Sequence, residues 1–245
     1  MNLEPIQLSI AAPAYNEKEN IQRVVTEWRE FLLQQSFISE FEIIVCNDGS
    51  NDETGTLLNT LSEKYSEVRA LHHPKNRGAA SALATAISAT RFEWVLLLDS
   101  DGQFSITNLP AMLGKVQETN AAAAIGIRNK QDHLIARVGS QVSGIICNFV
   151  HGSKIKDFNS AFKLVHGPLL RSLSLEAKGM NYSTEITSRL LEKKVTIIGV
   201  DIDHLPRKMG KSSVKWIRDG FHRLLFVSYI AFRQFLLKLE VIKRE

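Results

Sequence analysis

A chain of 245 residues, 44% apolar and 23% charged, can bury a full hydrophobic core, and its ordinary composition excludes a disordered, collagenous or low-complexity protein. Two cysteines, Cys46 and Cys147, exclude a disulfide framework and a cysteine-held metal site. The net charge of +4 is unevenly placed: residues 205–245 carry ten basic residues against three acidic ones, which leaves the first 204 net negative.

Residues 7–12 read as a strand ending at Pro13. Residues 17–34 read as a helix, with Ile21, Val24, Val25, Trp28, Phe31 and Leu32 at helical spacing and with Asn16 and Glu19 placed as a capping box. A strand at 41–46, a helix at 52–64 and a short strand at 67–71 follow. The alanine-rich run 78–90 predicts a helix packed closely against a sheet. Residues 94–98, Trp-Val-Leu-Leu-Leu, predict a central strand covered on both faces. Beyond it the pattern predicts helices at 109–116, 134–150 and 183–193 and strands at 121–127, 160–165 and 195–200.

This alternation predicts an α/β fold with a mostly parallel sheet flanked by helices. Residues 1–212 form one domain, and 213–245 form a basic amphipathic helical tail. The tail's longest uncharged stretch, residues 224–232, is far short of the roughly 20 apolar residues of a membrane span. Its basic and apolar faces predict a helix lying in a membrane interface, or one packed on the core or on a second subunit. Its aromatics lie on a helical stripe rather than a β platform, which argues against nucleic acid as a partner. No secretory signal pattern opens the chain, so the expected location is cytoplasmic, at the inner face of the membrane.

The chemistry concentrates where predicted strands end. Asp99 and Asp101, one residue apart after an extended run, crowd two negative charges onto one spot. A hard cation, Mg²⁺ or Mn²⁺, relieves that repulsion with one or two carboxylates, and substrate phosphates complete its shell. Pro13-Ala14-Tyr15-Asn16-Glu17 and Asn47-Asp48-Gly49-Ser50-Asn51-Asp52 follow two other strands. In an open α/β sheet all three loops meet at the carboxyl edge, where ligands bind. Arg128, Arg207, Lys208 and Lys211 offer positive charge for phosphate groups, or simply line solvated loops. A hydroxyl nucleophile needs a base such as Asp157 or Glu185, whereas a phosphate monoester is already ionised at neutral pH. Both acids have structural readings as well, Asp157 at a strand end and Glu185 in a helix's first turn. The seven histidines show no ligand spacing and are expected at surface or half-buried positions.

The ordered set resembles the inverting family 2 glycosyltransferases of GT-A (Rossmann-like) fold, nearest the dolichyl- or polyprenyl-phosphate mannosyl- and glucosyltransferases. The resemblance runs through Pro-x-Tyr-Asn-Glu, the Asn-Asp-Gly-Ser run at 47–54, Asn76-Arg77-Gly78, Asp-x-Asp-Gly-Gln and Gly126-Ile127-Arg128. It continues through residues 157–163, Glu185 and residues 206–212, and so covers about 6–216. It implies a nucleotide-sugar donor flanked by Pro13, Tyr15 and Glu17, with Asn47 and Asp48 at the base and Lys208 on the diphosphate. It also implies a metal held by Asp99, Asp101 and Gln103, and chemistry carried by Asp101, Asp157, Arg128 and Arg207. The acceptor, a polyprenyl phosphate, would meet Arg128, Arg207, Lys211 and Ser212. Asn47 stands where the family often has Asp, and Ser100 where Ala is frequent. Many polyprenyl-phosphate members carry carboxy-terminal membrane helices, which residues 213–245 do not resemble; an integral-membrane partner and a homo-oligomer are both left open. The alternatives are transfer to a glycan or lipid hydroxyl, and a non-catalytic nucleotide-binding protein on the same scaffold.

Overall fold

A computed structural model of the chain describes residues 3–129, 134–207, 209 and 216–241. Its strands are β1 (Ile6–Ala14), β2 (Ile38–Asn47), β3 (Val68–His72), β4 (Trp94–Leu97), β5 (Ala123–Arg128), β6 (Lys163–His166) and β7 (Ile197–Ile202). The helices are α1 (Ile21–Leu33), α2 (Thr54–Lys64), α3 (Ala79–Ser88), α4 (Leu109–Thr119), α5 (Leu134–His151), α6 (Gly167–Arg171), α7 (Tyr182–Glu192) and α8 (Trp216–Lys238). The strands form one sheet in the order β3-β2-β1-β4-β6-β5-β7. β6 runs antiparallel to both its neighbours, and the other pairings are parallel.

Alternating strand side chains build two cores. Leu8, Ile10, Ile43, Val45 and Leu96 pack with Ile21, Val25, Trp28 of α1 and Met112, Leu113 of α4 on one face. Ala11, Ile44, Cys46, Val95 and Leu97 pack with Ala82, Leu83, Ala86 of α3 and Ile186, Leu190 of α7 on the other. Each fully buried Leu or Ile contributes roughly 1.5–3 kcal/mol of transfer free energy, so this three-layer burial is what holds the edge loops in place. Both cysteines are buried and free, and burial pushes each thiol up to about 12.

The local departures from expectation have local causes. β1 continues through Pro13, which pairs with Cys46, because the β1–β4 ladder stops at Ala11 opposite Leu97 and no partner strand asks for the missing N–H. The expected capping box does not form. Asn16 adopts φ +54° and accepts a hydrogen bond from the Asn51 N–H, while α1 starts later, after Asn20, without a side-chain cap. The antiparallel course of β6 was not legible, and it matters most: Lys163 lies opposite Leu97 and Ile125, so the turn that precedes β6 arrives at the same edge as the ends of β4 and β5.

A third, smaller cluster joins α8 to α5 through Cys147, Phe158, Val227 and Ile230. Polar ties bind α8 to α7 and the segment before it: Tyr229 Oη donates to Glu176, and Arg233 and Gln234 donate to Glu192 at 3.4 and 3.2 Å. No helix among the described residues is long and apolar enough to cross a membrane.

Gly49 adopts φ +66°, and a Cβ there would lie 2.5 Å from the Lys75 carbonyl carbon, whereas Gly152 has φ +64° with open space around it. Gly152→Ala should therefore cost about 1 kcal/mol for the left-handed backbone alone. Gly49→Ala should cost at least about 2 kcal/mol, because overpacking adds to the same term. Urea unfolding of both variants checks this, and equal losses would contradict the close approach.

Candidate active site

The loops at the carboxyl edge are tied to one another before any ligand is considered. After β1, the Asn16 N–H donates to Ser50 Oγ (2.9 Å), the Glu17 N–H to Thr54 Oγ1 (2.8 Å) and the Lys18 N–H to Asp52 (3.3 Å). Pro13 is buried and its carbonyl accepts from Ser100 Oγ at 2.8 Å, which joins the β1 end to the Asp99–Asp101 turn. Tyr15 is half-buried at the same turn. Asn47 Oδ1 accepts from the Ser50 N–H, and its amide lies 3.1 Å from His72 Nδ1.

Asp48 is buried, and both its oxygens are used within the chain. Oδ1 meets His73 Nδ1 at 2.7 Å and the Arg77 N–H at 2.9 Å, and Oδ2 accepts from the Gly78 N–H at 2.7 Å. Asp48 thus moulds the 73–78 loop. His73, expected at a surface or half-buried position, is buried as its partner. Spacing gave no sign of this pairing, because it joins the ends of two different strands.

At the end of β4, Asp99 Oδ1 accepts a 2.5 Å hydrogen bond from the Tyr182 hydroxyl. Burial pushes the Asp99 carboxyl up to about 7, and the neighbouring Asp101 charge adds to the rise, while Tyr182 and Arg128 oppose it. Asp101 Oδ1 accepts from the Gln103 N–H at 3.0 Å, and its Oδ2 lies 3.6 Å from Arg207 Nη1. The Gln103 amide donates to the Leu205 carbonyl at 3.4 Å.

Arg207 reaches this edge because the chain after β7 is bridged to the turn after β4. Phe104 pairs with His204, and the Leu205 N–H donates to the Gln103 carbonyl at 2.8 Å. Arg207 Nη2 then donates to Glu17 Oε1 at 2.6 Å, so one guanidinium joins Glu17 to Asp101. Burial raises the Glu17 carboxyl, against the pull of Asn20 and Arg207. Glu17, expected beside the nucleoside, is the ion-pair partner of Arg207. Lys208, Lys211 and Ser212 lie outside the described residues.

Arg128, at the end of β5, forms a two-pronged pair with Asp157, Nε to Oδ2 at 2.7 Å and Nη2 to Oδ1 at 2.9 Å. Burial alone would raise the Asp157 carboxyl, but the Arg128 hydrogen bonds and charge outweigh it and hold the group below its ordinary range. A carboxylate so held is a poor proton acceptor, which favours the structural of its two readings over a base. Asp157 orients Arg128 instead. Glu185 accepts from the Glu176 and Ala177 N–H groups and from Arg189, and so ties the start of α7 to the preceding loop. The residue that sequence reasoning missed is Lys163. Fully buried, it donates to the Ser160 carbonyl and to Ser183 Oγ (2.7 Å), and burial lowers its ammonium to about 7 despite the Asp157 charge. Its motif was visible, but its burial depends on the antiparallel β6.

Beside the Arg128–Asp157 pair lies a cavity of about 350 Å³ between α5 and residues 155–158, lined by Asn129, Gln141, Ile145, Asn148 and Lys156 among others. Among the described residues no group of three or more His, Cys, Asp or Glu side chains could hold a metal ion alone. Asp99 and Asp101 nevertheless fit a hard divalent ion that takes two carboxylates and completes its shell from phosphate and water. The repulsion that Asp101 adds at Asp99 is what such an ion would offset.

Comparison with known proteins follows the geometry. Residues 9–170 match the sequence profile of glycosyl transferase family 2. The chain belongs to glycosyl transferase family 2. A dolichyl-phosphate β-glucosyltransferase of Trichomonas vaginalis is 28% identical over 176 residues, 65% of this chain and 53% of that protein. An undecaprenyl-phosphate 4-deoxy-4-formamido-L-arabinose transferase of Salmonella choleraesuis is 22% identical over 213 residues, 86% of this chain and 64% of that protein. The chain thus spans roughly half to two-thirds of these relatives. In fold it is similar to glucosyl-3-phosphoglycerate synthase of Mycobacterium tuberculosis, solved with Mn²⁺ and UDP-glucose, with a TM-score of 0.71 at 16% identity over 93% of this chain and 79% of that one. The family 2 chain therefore has the GT-A fold expected from its motifs.

The Asp157 pair makes stability pH-dependent. Because its folded carboxyl titrates below the unfolded value of about 3.9, the contribution is present above that value and is lost as pH falls below it, through the depressed folded value. Asp157→Asn should cost about 3 kcal/mol at pH 7 by leaving Arg128 unpaired, and the gap to wild type should narrow below about pH 4. Urea unfolding across that range checks it, and a gap independent of pH would count against the charged pair.

Proposed function

We propose that this family 2 enzyme moves a hexosyl group from a nucleoside diphosphate sugar to a polyprenyl phosphate at a membrane surface, with inversion. The observation that carries the acceptor class is the state of the two candidate bases. Asp157 is locked by Arg128, and Glu185 by two backbone N–H groups and Arg189. A hydroxyl acceptor would find neither available to take its proton. A phosphate monoester, with a second pKa of about 6, needs positioning rather than deprotonation.

In this reading Pro13, Tyr15 and the Asn47–Asp48 turn shape the nucleoside site, and Asp99, Asp101 and the Gln103 carboxamide hold Mg²⁺ or Mn²⁺. When bound, the ion neutralises the departing nucleoside diphosphate. Arg207, kept at the edge by Glu17, adds positive charge beside Asp101. Arg128, aimed by Asp157, and Lys156 line the cavity that receives the acceptor phosphate. Holding the phosphate oxygen close to the sugar carbon supplies the rate advantage of orientation.

Two exposed apolar faces suit a lipid. α8 exposes Leu224, Leu225, Phe232, Phe235 and Leu239, and α5 exposes Val142, Ile145 and Phe149, the last 88% exposed. Ile145 also lines the cavity, so an acceptor can keep its isoprenoid chain in the bilayer while its phosphate reaches Arg128. The names of the dolichyl- and undecaprenyl-phosphate relatives support the same acceptor class.

Transfer of labelled sugar from UDP- and GDP-sugars to polyprenyl phosphate in anionic vesicles tests the proposal. Product should form with the phosphate and not with the free polyprenol, and Asp101→Ala should reduce it at least about 100-fold, the order expected when charge stabilisation at the leaving group is removed. Equal transfer to polyprenol or a soluble glycan would point to the hydroxyl-acceptor alternative. Separately, Phe232→Ser with Phe235→Ser should weaken co-sedimentation with the same vesicles while leaving the unfolding midpoint nearly unchanged, and undiminished binding would contradict the membrane role of α8.

A further inference from the structure

The hydroxyl of Tyr182 has no packing purpose. Its ring is buried, 4% exposed, at the start of α7, within the core formed with Ala11, Cys46, Leu83 and Leu97. A phenylalanine ring would fill the same space without the cost of burying a phenol, and a buried phenol is tolerated only with a partner. That partner is Asp99 Oδ1, at 2.5 Å.

The position of the hydroxyl is set by its neighbours. Ser183 Oγ donates to the Ser160 carbonyl and accepts from Lys163 Nζ, and Thr184 Oγ1 donates to Asn159 Oδ1 at 2.5 Å. Three consecutive side chains thus fasten the first turn of α7 to the sheet edge, one of them on Asp99 and the other two on the turn before β6. With its ring wedged in the core and the next two residues tethered, Tyr182 cannot follow Asp99 if that side chain turns.

We infer that Tyr182 is a positioning residue for the divalent ion: its hydroxyl holds Asp99 Oδ1 and so fixes Oδ2 as the atom that Asp99 offers to the metal. The inference rests on the reading of Asp99 and Asp101 as metal carboxylates. Hydrogen-bond partners behind a metal ligand orient it, and their removal usually weakens metal affinity by about 10–100-fold.

The test is a Mn²⁺ titration of the full chain, followed by electron paramagnetic resonance of the free ion in the presence of saturating UDP or GDP. Wild type, Tyr182→Phe, Tyr229→Phe and Asp101→Ala are compared, with thermal midpoints recorded for each. The expected result is a Mn²⁺ dissociation constant raised at least about 10-fold in Tyr182→Phe with little change in midpoint. Tyr229→Phe, which loses a phenol bonded to Glu176 instead of a metal carboxylate, should keep wild-type affinity. Wild-type affinity in Tyr182→Phe, with Mn²⁺ binding lost in Asp101→Ala, would overturn the role of Tyr182 and leave the metal reading intact. A wild-type chain that binds no Mn²⁺ with either nucleotide would overturn both.

Discussion

A carboxylate at the inner end of a central strand has to be compensated, and the arrangement around Asp99 follows from that need. Its charge meets one phenol hydrogen bond, the more distant field of Arg128 and the buried ammonium of Lys163, while Asp101 adds repulsion. Burial pushes Asp99 up and Lys163 down, so each is held in its charged form only against the cost of burial. Arg128 is matched by Asp157 and Arg207 by Glu17 and Asp101. In the proposed reading a divalent ion brought in with a diphosphate supplies the missing counter-charge.

The backbone makes that arrangement possible through a single reversal. Six strands run in one direction and leave their following loops at one edge, as the alternating sequence pattern predicts. β6 runs the other way, so it delivers the turn before it, with Asp157, Asn159 and Ser160, to the same edge. Strand direction has no signature in periodicity, and a four-residue strand of Lys-Leu-Val-His looks the same either way. For that reason the proximity of Asp99 and Asp101 was readable from spacing, while the burial of Lys163 and the Tyr182–Asp99 bond were not. The pairing of Asp48 with His73 was hidden for a related cause, since it joins the end of one strand to the end of the next. Asn16 shows the opposite error: its chemistry suits a helix cap, yet the demand of the neighbouring loop for an acceptor at the Asn51 N–H wins.

The tail divides its two faces between the protein and its surroundings. Val227, Ile230, Gln234 and Leu237 are buried, and Glu176 and Glu192 take its polar groups, so this face is settled against α5 and α7. The opposite face keeps Phe232, Phe235 and Leu239 exposed, and α5 exposes Val142, Ile145 and Phe149. Exposure of this kind on two packed helices, of which α5 lines the cavity that holds Arg128 and Lys156, is what the proposed acceptor with its charged head and isoprenoid chain would use. The sequence showed the stripe on α8; the α5 ridge became apparent only once the two helices were seen to pack together.

Calorimetric titration of the chain with UDP and GDP, with and without Mn²⁺, is the most direct measurement. One nucleoside diphosphate should bind tightly only with the ion present, and Asp101→Ala should abolish that ion-dependent part. Binding of equal strength without the ion, or unchanged binding in Asp101→Ala, would contradict a site built around the Asp99–Asp101 pair.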